Sequence, residues 1–327
     1  MPSKAKKVFI TGIEGFVGYH LTSHLLSKGY DVSGMRVAPL PPNFPKIKVH
    51  QCDIKDKKRL KDLLAQGKKD AIFHLAAISS VDVSERAPEL AFTANTMGTF
   101  NLLQSLGELR MNPKVILISS CEVYDRSGNQ GVKIGAKKDA IPRFDEKSTT
   151  KPSSFYALTK LFAEELGRFF FDRYGLKILI LRPFSHTGPG QSENFVFPSV
   201  TRRIVEIEQG KRPPVIELGN LDVFRDYTDV RDMVKAYELA LLSCLPGKTY
   251  NVTSEKTYSI REGVLLLCSL AKKQIKIKIV PERFRKEGIY LAGDCRKFRK
   301  ATNWKPEIDF KTTLSDLLEY SRKTIRD

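Results

Sequence analysis

No apolar run in this chain of 327 residues approaches the roughly 18 needed to cross a bilayer. The opening stretch, MPSKAKKVFITG, lacks the apolar core of a signal peptide. The chain therefore reads as a soluble, cytoplasmic protein with no membrane partner. Cysteine is scarce: Cys52, Cys121, Cys244, Cys268 and Cys295 form no C-x-x-C pair, and several lie in apolar runs, as buried free thiols do. That usage fits a reducing compartment. His20 and His24 stand one helical turn apart, but no His, Cys or carboxylate motif accompanies them, so no metal is expected. Acidic residues are the minority charge, 37 Asp plus Glu against 55 Lys plus Arg, a net +18. Such a field attracts anions of any kind, phosphate esters and nucleic acids included. The basic residues are spread along the chain, in groups at 4–7, 55–61, 133–138, 272–278 and 283–300, and read as a solvated surface. No motif that reads nucleic acid is present, and no internal repeat.

What is present has a rhythm. Lys7 to Thr11 is a short apolar run ending at glycine, a buried strand, and Phe16 to Lys28 carries apolar residues at helical spacing up to Gly29. Strands follow at Tyr30 to Met35, Ile47 to Cys52, Ala71 to Leu75, Val115 to Ser119 and Leu176 to Leu181, and helices at Asp56 to Gln66 and Pro88 to Arg110. Another helix opens at Pro152 and closes at Gly175. This alternation predicts an α/β fold: a Rossmann-type doubly wound parallel sheet with helices on both faces. The run Asp125 to Thr150, rich in Gly, Lys and Asp, breaks the rhythm and reads as a long mobile loop that covers a site or is disordered. After Pro183 the pattern changes to a smaller α/β portion. It has helices at Pro198 to Gln209, Val230 to Leu242, Ser259 to Ala271 and Thr312 to Arg322, and strands at Val215 to Glu217 and Lys276 to Val280. A strand at Lys248 to Val252 returns to the large sheet. The expected division is 1–183 and 184–327.

Thr11-Gly12-Ile13-Glu14-Gly15-Phe16-Val17-Gly18 joins the first strand to the first helix. Glycines there let the backbone approach a pyrophosphate, which rests on the helix N-terminus, so a dinucleotide is expected. Arg36 ends the second strand, where a carboxylate would bind the ribose 2′-hydroxyl of NAD; a guanidinium suits the 2′-phosphate of NADP. An exposed arginine without a ligand is the other reading. Asp53, followed by Ile54, either accepts from the adenine amine or is a plain turn aspartate. Ser119 and Ser120 leave the fifth strand at its carboxyl end, where open α/β sheets bind ligands. Tyr156 and Lys160, four apart on a helix, point the same way. A free phenol titrates near 10 and proton transfer at neutrality wants about 7. The ammonium is therefore expected to lower the phenol by stabilising its anion, a shift worth roughly 4 kcal/mol. Glu122 is either a general base for a carbon-bound proton or a polar anchor.

Gly12-x-x-Gly15-x-x-Gly18, Leu75-Ala76-Ala77, Asn95, Ser119-Ser120 and Tyr156-x-x-x-Lys160 resemble the extended short-chain dehydrogenase/reductases that act on nucleotide sugars. The run Arg182 to Gln191, Gly219-Asn220-Leu221 and Arg225 to Asp232 are similar to the GDP-4-keto-6-deoxy-D-mannose reductases and the sister GDP-mannose 4,6-dehydratases. His186 to Gln191 favours the reductase side. The resemblance implies a Rossmann domain that holds NADP, with NAD as the alternative. It also implies a C-terminal portion that holds a GDP-linked sugar, and a homodimer formed through the helices at 88–110 and 152–174. It implies that Lys160 binds the nicotinamide ribose and that Tyr156 protonates the sugar C4 oxygen as hydride arrives. Ser120 would polarise that carbonyl, and Ser119 and Pro183 would line the nicotinamide. Phe16, Val17, Leu75, Ala76, Ala77 and Asn95 belong to the cofactor motifs. Ser185, His186, Asn194, Arg203, Arg225 and Arg285 fall on the substrate side, Asn194, Arg225 and Arg285 at the nucleotide diphosphate; a surface ion pair is the other reading of each of these arginines.

Departures from the pattern are Ser185 for the usual Asn, Asp125 for Gly, a longer 125–150 loop, and Lys286 after Arg285 in place of Pro. Three readings follow: an NADP-dependent 4-keto reductase, a 4,6-dehydratase with Glu122 as its C5 base, and a nucleic-acid-binding descendant of the fold. The intact Tyr156 and Lys160 argue against the last.

Overall fold

Seven short, largely apolar strands pair side by side, all parallel, in the computed structural model, which describes residues 6–127, 141–283 and 290–325. Their order across the sheet is Thr249–Val252, Ile178–Pro183, Lys114–Ile118, Ala71–His74, Lys7–Thr11, Asp31–Arg36, Lys48–Gln51. Strands of this kind are apolar throughout because helices cover both faces. Ala71–His74 and Ile178–Pro183 are buried at every residue. One core, with Ile10, Phe73, Leu179 and Tyr237, lies on one side of the sheet, and a second, with Phe9, Ile72, Leu102 and Ile180, on the other. This is the doubly wound arrangement expected, and Thr249–Val252 returns to pair with Ile178–Pro183.

Strand order reverses at Lys7–Thr11, which has Asp31–Arg36 on one side and Ala71–His74 on the other. A crevice at the carboxyl ends of the strands follows from that reversal. Beyond Pro183, helices Val196–Glu208, Ile260–Ser269 and Phe310–Thr324 pack around Phe197, Leu314 and Leu317 in a third core.

Three expectations need correction. The helix predicted to open at Pro152 runs Phe155–Tyr174, because the Ser154 hydroxyl accepts the Ala157 N–H at 3.2 Å and caps it there. Gly175 closes it as expected, at φ 66°. The helix predicted over 88–110 is Pro88–Ala91, a π turn at Phe92–Met97, then Gly98–Glu108. Inside that π turn the buried Asn95 amide donates to the Ile78 carbonyl (3.1 Å) and Thr159 Oγ1 (2.9 Å) and accepts the Ile78 N–H (2.7 Å). Of the loop predicted over Asp125 to Thr150, residues 128–140 lie outside the described residues. The rest holds the strand Arg143–Phe144, which pairs with Tyr290–Gly293, while Phe144 stacks on Tyr124 with ring centroids 5.1 Å apart.

Candidate active site

A cavity of about 670 Å³ occupies the crevice. Its first wall is the glycine turn. Gly12 has φ 68°, and a Cβ there would meet the Ala76 backbone at 2.8 Å, so the turn lies against the end of the fourth strand as only glycine allows. A Cβ on Gly18 would strike the Ile13 carbonyl at 2.5 Å, which is why the helix Phe16–Ser27 can start directly on the turn. A chain of hydrogen bonds fixes this corner. Thr99 Oγ1 donates to the Asn95 carbonyl (2.6 Å), so it accepts from His74 Nε2 (2.9 Å). His74 Nδ1 then accepts from Thr11 Oγ1 (2.8 Å), and Thr11 Oγ1 accepts the Ala76 N–H (3.1 Å). Complete burial, aided by the Lys160 charge, pushes the imidazole down to about 3 and keeps it neutral, as the chain requires.

At the far end of the cavity Ser119 and Ser120 come off the fifth strand, and Tyr156 and Lys160 come from the first two turns of Phe155–Tyr174. Tyr156 is buried, and its hydroxyl is hydrogen-bonded to Ser120. Lys160 Nζ donates to the Ile118 carbonyl at 2.7 Å. The electrostatics differ from the expected phenol–ammonium coupling. Burial raises the Tyr156 hydroxyl far above its ordinary range, with the Ser120 hydrogen bond opposing only in part. Burial lowers Lys160 to about 8, against the pull of the Glu164 carboxylate. The reason is placement: the ammonium is spent on a backbone carbonyl, and the phenol stays a proton donor at neutral pH.

Behind this end sits a buried ion cluster. Glu164 takes both arms of the Arg182 guanidinium, at 2.8 and 2.7 Å, the Ser119 hydroxyl at 2.5 Å and Arg168 at 2.6 Å. Burial alone would raise its carboxyl; the paired cations and the Ser119 hydrogen bond hold it below the usual range instead. Glu122 lines the cavity and is paired with the buried Arg126 at 2.8 Å.

On the substrate side Pro183, Ser185 and His186 line the cavity. The His186 ring lies parallel to Phe16 at 6.2 Å, its Nδ1 is 3.0 Å from the Phe184 carbonyl, and burial lowers its pKa. Gly12, Gly15, Phe16, Val17, Gly18, Arg36, Asp53, Ile54, Leu75, Ala76, Ala77, Ser119, Ser120, Glu122, Tyr156 and Lys160 all line one cavity. Four expected residues do not. Asn95 stands one layer behind the wall, its amide committed to Ile78 and Thr159. Asn194 is on an exposed turn capped by Ser192. Arg203 donates to the Glu217 carbonyl (2.7 Å), and Arg225 is buried with Nη1 on the Phe224 carbonyl (2.9 Å). Arg285 lies outside the described residues. His20 contacts the Pro189 carbonyl (2.8 Å) and His24 contacts Glu238 (2.7 Å).

The cavity also holds residues that spacing does not single out, among them Glu14, Val37, Phe195, Tyr227 and Tyr237. Tyr227 sits inside the Arg225 to Asp232 run, a signal that points at it; nothing in the pattern marks Glu14.

A family model described as GDP-mannose 4,6 dehydratase matches residues 9–317. The chain belongs to this family. Through it the chain is one of the extended short-chain dehydrogenase/reductases. It is 32% identical to the GDP-6-deoxy-D-mannose reductase of Pseudomonas aeruginosa over 323 residues, 98% of this chain and 99% of that protein. It is 26% identical to the GDP-mannose 4,6 dehydratase of Drosophila melanogaster, over 99% of this chain and 88% of that protein. Among solved structures, RMD from Pseudomonas aeruginosa complexed with NADPH superposes with a TM-score of 0.83 at 33% identity, covering 98% of this chain and 100% of that one.

Proposed function

We propose that the chain reduces the C4 keto group of a GDP-4-keto-6-deoxy sugar with NADPH, giving a GDP-6-deoxy-D-mannose or rhamnose type of product. The observation that carries this reading is the convergence of Ser120, Tyr156 and Lys160 on the cavity that begins at the glycine turn, with the Tyr156 proton held by burial. The residues fit the cofactor: the turn at Gly12 and Gly15 carries no side chain, and Arg36 sits on the wall at the end of the second strand. When bound, NADPH supplies the hydride. Tyr156 Oη gives its proton to the C4 oxygen, Ser120 Oγ polarises that carbonyl, and Lys160 holds the nicotinamide ribose. Residues 1–183 and the strand Thr249–Val252 serve the cofactor, and 184–327 serve mainly the sugar nucleotide. Asn194, Arg225 and Arg285 are assigned to its diphosphate end and Arg203 to the substrate side. All five cysteines are free thiols, in keeping with a cytoplasmic setting, and no helix among the described residues is long and apolar enough to cross a membrane. Supplying the keto sugar with NADPH is expected to consume nicotinamide absorbance; no consumption at any pH from about 6 to about 9 would remove the reading, since that span brackets the charge change of Lys160.

Glu122 on the cavity wall favours one second reading, the 4,6-dehydratase. Glu122→Gln is expected to leave keto-sugar reduction within about threefold of the parent and to abolish any conversion of GDP-mannose, since a lost general base removes about 100-fold or more. Equal losses in both assays would show that Glu122 is not the C5 base.

We further propose a homodimer through the helices at 88–110 and 155–174. Met97, Phe162 and Phe169 are exposed there, Phe162 and Phe169 seven residues and so two turns apart on one face. Phe162→Asp with Phe169→Asp is expected to convert a dimer to a monomer by light scattering. A persisting dimer would put the interface elsewhere.

A further inference from the structure

Arg126 is only 6% exposed, and its Nη2 lies 2.8 Å from Glu122 Oε2, four residues back along the chain. The same nitrogen donates to Ser153 Oγ at 2.5 Å. Its Nε and Nη1 are shut away from water and have no hydrogen-bond partner among the described residues. The guanidinium is thus buried with Glu122 as its counter-charge. Through Ser153 it is braced against the turn before the helix of Tyr156. A buried charge that loses its partner is costly, so this pair resists opening.

Glu122 itself faces the cavity and is 20% exposed. Its backbone N–H donates to Ser120 Oγ (3.2 Å), the hydroxyl that is bonded to Tyr156, and its carboxylate is near enough for its charge to bear on the phenol. A 4-keto sugar whose C4 oxygen sits at Ser120 and Tyr156 carries a hydrogen on C5, beside the ketone. That hydrogen is acidic, and a base next to it forms an enolate. Reduction at C4 has no use for such a base, and an enolate would put the configuration at C5 at risk. Glu122 can take up a proton only by giving up the charge that neutralises Arg126.

We infer that Arg126 is a specificity-determining positioning residue: by tying Glu122 it keeps that carboxylate from acting as a base on C5, so the keto sugar is reduced with its C5 hydrogen undisturbed. The inference deepens the reductase reading and rests on it for the place of the sugar. It bears equally on the dehydratase reading, whose C5 step needs Glu122 free.

The test is hydrogen exchange at C5. The full chain is incubated in deuterium oxide with the GDP-4-keto-6-deoxy sugar and oxidised NADP, which leaves no hydride to transfer, and deuterium at C5 is followed by proton NMR. A parallel assay supplies NADPH and times reduction at C4. The quantity read is the ratio of exchange, above the protein-free background, to reduction; a misfolded fraction lowers both and cancels. The parent is expected to reduce at least about 100 times faster than it exchanges. Arg126→Gln is expected to raise the ratio at least about tenfold. In that variant Glu122 takes the C5 proton, the C–H electron pair moves into the C4–C5 bond, and the C4 oxygen becomes an enolate. Return of a deuteron from the exchanged carboxyl to C5 restores the ketone. Arg126→Lys keeps a cation for Glu122 and should stay within about threefold of the parent. Adding Glu122→Gln to Arg126→Gln should bring the ratio back to the parent value. Ser153→Ala removes the brace and carries the test, with a rise of about threefold, should Arg126→Gln not fold. An unchanged ratio in whichever of the two folds, a rise that survives Glu122→Gln, or a parent that exchanges as fast as it reduces would overturn the inference. Each leaves the reductase reading standing, because NADPH is still consumed. A parent that reduces nothing would overturn that reading and the inference with it.

Discussion

Tyr156→Phe is expected to lower keto-sugar turnover at least about 100-fold while NADPH affinity stays within about threefold. The substitution removes one oxygen from a buried side chain and leaves the ring in place. Position and packing are kept, and only the proton is lost. A positioned general acid contributes about 100- to 10,000-fold, or roughly 2.7 to 5.4 kcal/mol of barrier. The high pKa of the Tyr156 hydroxyl means that its proton is in place across the neutral range. Lys160 sets the alkaline limit. Its ammonium is lowered to about 8, so it is charged below that pH and neutral above it. Turnover should therefore fall as pH rises through about 8, because the ammonium assigned to the nicotinamide ribose loses a proton and its charge. If the Tyr156→Phe variant turned over within about tenfold of the parent, Tyr156 would be removed from the role of acid.

Glu164→Leu is expected to destabilise the fold by about 3–5 kcal/mol in denaturant titration. Arg182 is almost fully buried, its Nη1 has no hydrogen-bond partner, and Glu164 takes its other two nitrogens. Removing the carboxylate strands a guanidinium away from water. The loss would come from that stranded charge, so Glu164→Leu combined with Arg182→Met should recover most of it. The pH dependence has a definite sign. Glu164 is held below its ordinary 4.5, so its contribution is complete above that value and fades as acid protonates the folded state. The gap between parent and variant should be full at neutral pH and narrow below about pH 4.5. A loss under about 1 kcal/mol at neutral pH would mean that the cluster does not hold the fold.

Elements with a local cause are legible in the sequence. The strand Lys7–Thr11 can be read to the residue, since an apolar run stops at a glycine that no side chain could replace. The stop at Gly175 follows from its freedom to adopt positive φ. Elements held from a distance are not legible. Arg143–Phe144, Phe224–Asp226 and Thr257–Ser259 are two or three residues long and exist only through their partners in one small sheet. The same distinction divides the site. The glycine turn and the Tyr-Lys spacing are local patterns, and both lead to the cavity. Glu164 sits on a helix where a glutamate ordinarily faces water; only pairing with Arg182, eighteen residues on, buries it in the cluster behind the site. The spacing of Tyr156 and Lys160 brings them to one place, but their coupling depends on the Ile118 carbonyl, which no spacing reveals.

The most direct test of the whole account is the fate of the hydride. NADPH deuterated on its transferring face, given with the GDP-4-keto-6-deoxy sugar, should yield one deuterium at sugar C4 for each nicotinamide oxidised, read by mass spectrometry and proton NMR. Product formed without deuterium at C4, or nicotinamide left unoxidised while the sugar is consumed, would contradict a reduction at that carbon.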